Sequence, residues 1–505
     1  MGTAGLHAAS LKFGEERMWQ TLDLGVKALS GSPENTRALQ LIVLITYSLS
    51  LVILGLVMSR RVRGSGSFFV ADRSLGPGLV FSTFLAANIG AGSVIAASEL
   101  GYEAGLSAWW YVGSAGIGQI IFAFFVAPRI WRAGKKHGLY TAGDYLELRY
   151  GNSVRAIIVS ILWLGTLAIL AAQLIAMSQI LEWVLGTPRW VGATLGGMIM
   201  IIYFTAGGLM TTAWVNLVQL IVLIVGFLVA IPIAVGSAGG VEAVLAAAPA
   251  NSDFMNPLAF AGIIMFVILM PSFVVSPGLV QMGYAAKDEP SLKKGVVLQA
   301  LALFAFAFVP VSAGIIAHSF DPGLTNGAYA VPTMLTLGLP PLLGALGLAA
   351  VFSAEVSSAD TVLFMLSTSL SKDIYKRYIS PDATDKDVLR VARLAAIVGG
   401  MGGLGLTLRF DSVLDTITIF YAIMSVSLFV PLLAGLHTRR ASVPEAIAGI
   451  GAGVSTLVTV SIAGEAGMVS STVAKSATGI GILASGLAFV LVLIIRHVLN
   501  KFRTG

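Results

Sequence analysis

Runs of about twenty apolar residues recur along this chain, and no other feature limits its fold as much. A helix that crosses a bilayer needs about 20 mostly apolar residues, because its backbone N–H and C=O groups must pair inside the segment where no water reaches. Thirteen stretches meet that length: 39–58, 77–98, 108–128, 156–185, 190–206, 215–236, 258–280, 294–317, 341–370, 388–408, 412–437, 443–463 and 477–495. Only 11% of the 505 residues are charged, against about 25% in soluble domains. The pattern predicts an all-α integral membrane protein of about 13 transmembrane helices. Cysteine is absent, which excludes disulfides, thiolate metal sites and cysteine nucleophiles.

The net charge of +6 could mark a nucleic-acid binder or a membrane topology, and the placement of the basic residues decides. Assigning successive loops alternately to the two faces of a bilayer puts 24 of the 31 Lys and Arg on one face. The other keeps Lys12, Arg17, Lys27, Arg37, Arg189, Arg409 and Lys475, and none of the 31 falls mid-span. By the positive-inside rule the chain is expected to be a multi-pass protein of the plasma (inner) membrane, N-terminus outside and C-terminus cytoplasmic. Residues 1–38 are polar and lack the apolar core of a cleaved signal, so they are expected to form an extracytoplasmic extension.

The spans at 108 and 156 have counterparts about 186 residues later, at 294 and 341, and those at 190 and 215 recur at 388 and 412. After a flanking helix at 39–58, this spacing suggests one five-helix repeat over 77–236 and a second over 258–437. Two flanking helices and a cytoplasmic tail fill 443–505. An odd number of spans per unit inverts the second copy, an arrangement common in secondary transporters. Each unit opens on a helix with a break signal: Asn88-Ile89-Gly90-Ala91-Gly92 in the first, Pro271 and Ser276-Pro277-Gly278 in the second. Glycine and proline weaken helices, and the freed backbone groups must be satisfied away from lipid. Matched breaks in two halves point to a binding site.

Only two carboxylates, Glu355 and Asp360, lie well inside a span. A mid-bilayer charge costs about 2.5–3.5 kcal/mol even on insertion scales, so each must face protein or water. At 100° per residue, Ala354, Ser357, Ser358 and Thr361 share one stripe beside them. Two hydroxyls next to carbonyls from a broken helix would make an oxygen-only site for a hard cation such as Na⁺; small hydroxyl residues also permit close helix packing. Polar or aromatic groups near the breaks or on core helices, Asn88, Ser93, Tyr111, Gln173, Phe273, Ser276 and Tyr421, are candidates to line a solute pocket. No Lys or Arg is placed to pair with an anionic solute. Gly400-Met401-Gly402-Gly403-Leu404-Gly405 fits a dinucleotide pattern but lies inside a span and follows no strand, so close helix packing explains it. No nucleophile–base set is visible, and no catalytic residue is assigned.

Several motifs together resemble the sodium/solute symporter family, the group of sodium–galactose, sodium–proline and pantothenate carriers. They are Phe69-Val70-Ala71-Asp72-Arg73-Ser74-Leu75-Gly76, Ala86-Ala87-Asn88-Ile89, Thr141-Ala142-Gly143-Asp144-Tyr145-Leu146 with Arg149-Tyr150-Gly151, and Gly207-Gly208-Leu209 with Gln219. Ser357-Ser358-Ala359-Asp360 running into Ser371-Lys372-Asp373-Ile374-Tyr375 completes them. The resemblance covers about 65–437. It implies the five-plus-five, leucine-transporter-like inverted-repeat fold with two discontinuous helices. It also implies a sodium site at Ala86, Ile89, Ala354, Ser357 and Ser358, with Na⁺ as coupling ion. Three positions depart from the family's pattern: Asn216 where an acidic residue is frequent, Met282 where a basic one is common, and Val112 in place of a sugar-binding glutamate.

The sequence therefore leads to a transporter rather than an enzyme, coupling inward Na⁺ flow to uptake of a small polar solute (amino acid, monocarboxylate, vitamin or sugar) by alternating access. A proton-coupled carrier using Glu355 or Asp360, which could also hold a second ion, and a transport-dead solute receptor are the alternatives. No nucleic acid or obligate protein partner is implied.

Overall fold

The structure is a computed structural model and describes residues 33–60, 65–249, 253–255 and 260–504. Most of the 1–38 extension lies outside the described residues, and from Pro33 the chain is already in the helix Pro33–Ser59. The described residues are overwhelmingly helical and contain no strand; one isolated bridge joins Leu75 to Ala286.

Among the described residues, eleven helices are long and apolar enough to cross a membrane, rather than the thirteen expected. The first interrupted stretch splits into Pro77–Asn88, too short to span alone, and a helical run from Gly92 that continues to His137. The stretches at 190–206 and 215–236 are two helices that meet at a kink within Arg189–Ser237. The kink is at Gly208, whose angles (φ 56°, ψ −153°) are not helical. The Phe68 ring lies only 2.5 Å from where a Cβ on Gly208 would stand, so glycine meets both the backbone angle and the close approach.

Burial orders the helices. The apolar windows of Thr36–Ser59, Val443–Glu465 and Ala477–Asn500 are 22% buried, whereas that of Pro341–Ile379 is 83% buried. The first three present their side chains to lipid, and the helix Pro341–Thr368 forms the axis of the bundle. Small residues let its neighbours close in. A Cβ on Gly399, Gly400 or Gly403 would lie 3.0, 2.4 or 2.9 Å from Leu366, Ile201 and Leu170 respectively. The glycine-rich run at 400–405 is thus a packing surface.

Outside the spans, polar caps set the helix starts. Thr141 and Asp144 form a reciprocal capping box at the head of Ala142–Tyr150, as do Thr384 and Asp387 at Asp385–Thr407. Each box satisfies two N–H groups that the first helical turn leaves without partners.

Candidate functional site

The helix Pro77–Asn88 ends where Ile89 turns extended (φ −105°, ψ 105°), and a π-helical turn resumes at Gly92–Ala96. Every freed group that the structure pairs here is met by a side chain. Ser93 Oγ accepts from Gly90 N–H at 3.0 Å and donates to the Asn88 carbonyl at 2.8 Å. Gln173 Oε1 accepts from Ala91 N–H at 2.9 Å, and Asn88 Nδ2 donates to the Phe84 carbonyl at 2.8 Å.

On the opposite wall, Ser358 Oγ lies against the Ala86 carbonyl at 3.1 Å and the Ile89 carbonyl at 2.8 Å. One turn of the same helix also holds Ser357 Oγ, which donates to the Ala354 carbonyl at 2.9 Å. Gly90 makes the approach possible, since a Cβ there would stand 2.2 Å from Ser358 Oγ and 2.8 Å from Gln173 Oε1. Two carbonyls and a hydroxyl therefore meet in one spot, with a second hydroxyl–carbonyl pair alongside. All are hard, neutral oxygen donors suited to an alkali cation. Rotating the Ser358 hydroxyl turns its proton away and leaves three lone pairs facing one point.

The second break is made differently. Phe260–Val275 stops at Ser276 (φ −48°, ψ 121°), and Pro277–Gly283 follows. Pro277 has no N–H to give the Phe273 carbonyl four residues back. Gln119 Nε2 supplies that bond from a neighbouring helix, at 2.9 Å. Gly118 lets the two helices touch, since its Cβ would lie 2.7 Å from that of Phe273.

Between the breaks lies a cavity of about 40 Å³. Asn88, Gln173, Phe273, Ser276 and Tyr421 line it, together with Ser358 and Thr361 from the axial helix and Phe420 and Met424, which sequence reasoning had not singled out. The Phe273 and Tyr421 rings are 4.9 Å apart. Ser93 holds the break instead of lining the cavity. Tyr111 is not in the lining but stands beside the first break: its side chain is buried, its hydroxyl has no hydrogen-bond partner, and a Cβ on Gly92 would lie 3.0 Å from that oxygen. Trp109, in the same tryptophan–tyrosine run, packs against Phe304 and donates its indole N–H to the Phe304 carbonyl at 3.1 Å.

Glu355 and Asp360 are fully buried on the axial helix. Both carboxyl oxygens of Glu355 lack a hydrogen-bond partner, as do both side-chain amide atoms of buried Asn216. Val112 and Met282 are buried apolar residues.

Sequence reasoning missed a charged cluster at the basic end of the bundle. At its centre is Arg155, which is 4% exposed. Its guanidinium pairs with Asp144 at 2.8 Å, with Asp373 at 2.5 Å and with Glu147, which also takes Arg377. Thr141 Oγ1 donates to Asp373 at 2.7 Å. Arg73 donates to the carbonyls of Tyr284, at 3.0 Å, and Leu139, at 2.8 Å. Lys372 lies 4.9 Å from the ring of Phe69 and 4.3 Å from that of Tyr140. Motifs scattered over 300 positions, around 69–76, 141–146 and 371–375, thus converge on one cluster. Their acid–base composition was a signal, but only the fold shows that they meet.

Comparison with known proteins gives the same family from several directions. The pattern of the Sodium:solute symporter family matches residues 68–453. A sodium/glucose cotransporter of Vibrio parahaemolyticus is 26% identical over 466 residues, 82% of this chain and 84% of that protein. The sodium/pantothenate symporter of Escherichia coli is 25% identical over 430 residues, 78% of this chain and 85% of its own. Among solved structures, a Na⁺-coupled sialic acid symporter in a substrate-bound, outward-open state superposes with a TM-score of 0.76. It shares 18% identity and covers 90% of this chain and 98% of its own.

Proposed function

Given that this chain belongs to the Sodium:solute symporter family, we propose that it couples inward flow of Na⁺ to uptake of a small polar solute by alternating access. It is a multi-pass membrane transporter, not an enzyme. Sodium binds at the carbonyls of Ala86, Ile89 and Ala354 and the hydroxyls of Ser357 and Ser358. Solute binds in the cavity that Asn88, Gln173, Phe273, Ser276 and Tyr421 line, with Tyr111 beside the first break. The observation carrying this reading is that Ser358 Oγ lies within 3.1 Å of both the Ala86 and Ile89 carbonyls, which a helix break presents to it.

An ion seated there would tie the first broken helix to the axial helix and favour one side of the cycle. The two five-helix units, 77–236 and 258–437, would rock about that tie, with the basic end cytoplasmic. A membrane potential adds about 2.3 kcal/mol per charge per 100 mV. At about 1.4 kcal/mol per tenfold, one Na⁺ then sustains roughly 40-fold accumulation of a neutral solute.

The test is thermal stability of purified protein titrated with NaCl at constant ionic strength against KCl and choline chloride. A saturable rise in melting temperature with Na⁺ alone is expected; equal curves in all three salts would sink the sodium assignment.

A second reading rests on Glu355, whose buried carboxyl makes no hydrogen bond among the described residues. A lone carboxylate in that setting costs several kcal/mol, which a proton or a second cation would relieve. Under it, a pH gradient drives uptake in Na⁺-free buffer and Glu355→Gln abolishes that component. Under the sodium reading, Glu355→Gln leaves Na⁺-driven uptake in place.

A further inference from the structure

A broken helix offers N–H groups at its new N-terminus, and such an end ordinarily holds an anionic head group. In this chain two of the N–H groups at that place are paired from within. Gly90 N–H donates to Ser93 Oγ, and Ala91 N–H donates to Gln173 Oε1. Gln173 stands 82 positions away in sequence, so this cap is part of the tertiary structure. Its amide oxygen turns partial negative charge toward the spot where a carboxylate would seek donors.

The rest of the cavity offers no basic side chain, since none of its lining residues is Lys or Arg. Much of the lining is the ring surface of Phe273, Phe420 and Tyr421, and its polar contacts are uncharged: Asn88, Ser276, Ser358 and Thr361 beside Gln173. Aromatic faces accept hydroxylated carbon skeletons and attract cations, but they repel anions.

Resting on the symporter reading above, we infer that the transported solute carries no carboxylate, and that Gln173 is the residue that shuts carboxylates out. The solute is an uncharged or cationic molecule of the polyol, amino-alcohol or ammonium-alcohol kind. Monocarboxylates, and acids held through their carboxyl group, are excluded.

The experiment uses the full-length protein in proteoliposomes with an inward Na⁺ gradient. It offers galactose, three matched pairs that differ by a carboxylate against a hydroxymethyl group (proline and prolinol, pantothenate and pantothenol, betaine and choline) and a total metabolite extract. Solutes accumulated inside are identified by mass spectrometry. Na⁺-dependent accumulation confined to compounds without a carboxylate is expected, with any alcohol favoured over its acid by about tenfold or more, the scale of one charge-assisted hydrogen bond. An acid that accumulates as well as its alcohol overturns the inference while leaving the symporter reading intact. Failure of every compound to follow Na⁺ overturns the symporter reading itself.

Gln173→Met keeps the side chain's length, removes the acceptor and frees the Ala91 N–H, so it is expected to narrow discrimination to within about threefold. Gln173→Glu keeps an acceptor and a repulsive charge, and is expected to retain it. Both variants are checked for a wild-type melting temperature in Na⁺. Full discrimination in a folded Gln173→Met would remove Gln173 from the assignment.

Discussion

The two broken helices reach the same cavity by opposite means. The first break is held by side chains: Ser93, Gln173 and Ser358 all bond its exposed backbone. The second is set by covalent chemistry, because Pro277 cannot donate to the Phe273 carbonyl and a single bond from Gln119 makes good the loss. A junction made of hydrogen bonds can exchange partners when an ion or solute arrives. A kink made by proline persists whatever binds. The contrast assigns switching to the first break and a fixed bend to the second, and substitutions at each can sharpen or destroy that distinction.

The largest effect is expected from Gly90→Ala, whose Cβ would stand 2.2 Å from Ser358 Oγ. Overpacking of this kind costs about 1–3 kcal/mol, and here it pushes the axial helix off the break. Na⁺-dependent stabilisation should vanish in protein that still elutes as a folded species; a normal Na⁺ titration would contradict the close approach.

Ser358→Ala comes next. It removes the hydroxyl shared by the Ala86 and Ile89 carbonyls, at about 1–3 kcal/mol for the polar groups left behind, so the Na⁺ concentration for half-maximal stabilisation should rise roughly tenfold or more. Ser357→Ala, whose hydroxyl bonds only within its own helix, should shift it less. If the order were reversed, Ser357 rather than Ser358 would be the principal ligand.

Gln119→Leu should lower the melting temperature, by about 1–3 kcal/mol of stability for the orphaned Phe273 carbonyl, without moving the Na⁺ midpoint. The smallest effect belongs to Pro277→Ala, expected within about 1 kcal/mol of wild type. Alanine restores the missing N–H, so Pro277→Ala should also rescue much of the loss in Gln119→Leu. Strictly additive losses in the double variant would mean that Gln119 acts in some other way.

The parts of this architecture that depend on local pattern were legible in the sequence. Apolar length gave the helices, glycine and proline marked both breaks, and 100° spacing put Ser357 and Ser358 on one stripe. Less legible was how the chain continues through a glycine. At Gly208 the backbone leaves the helical angles and a second helix follows at once, with the Phe68 ring packed where a side chain would stand. Least legible were polar residues whose partners lie far along the chain. Gln119 and Gln173 look alike as isolated amides in apolar runs. The fold gives one a carbonyl 154 positions away and the other an N–H 82 positions away. Arg155 sits at a span edge where snorkelling to water is the ordinary outcome, so its burial among carboxylates had no sequence signature.

That arginine also bears on how the chain is made. Glu147 lies only 8 residues before it and Asp144 sits in the same short helix, whereas Asp373 follows 218 residues later. Two of its three carboxylate partners are therefore synthesised before it, and the third only after the axial helix Pro341–Thr368. The arginine thus ties a local ion cluster to a distant part of the chain, with Thr141 as a second contact to Asp373.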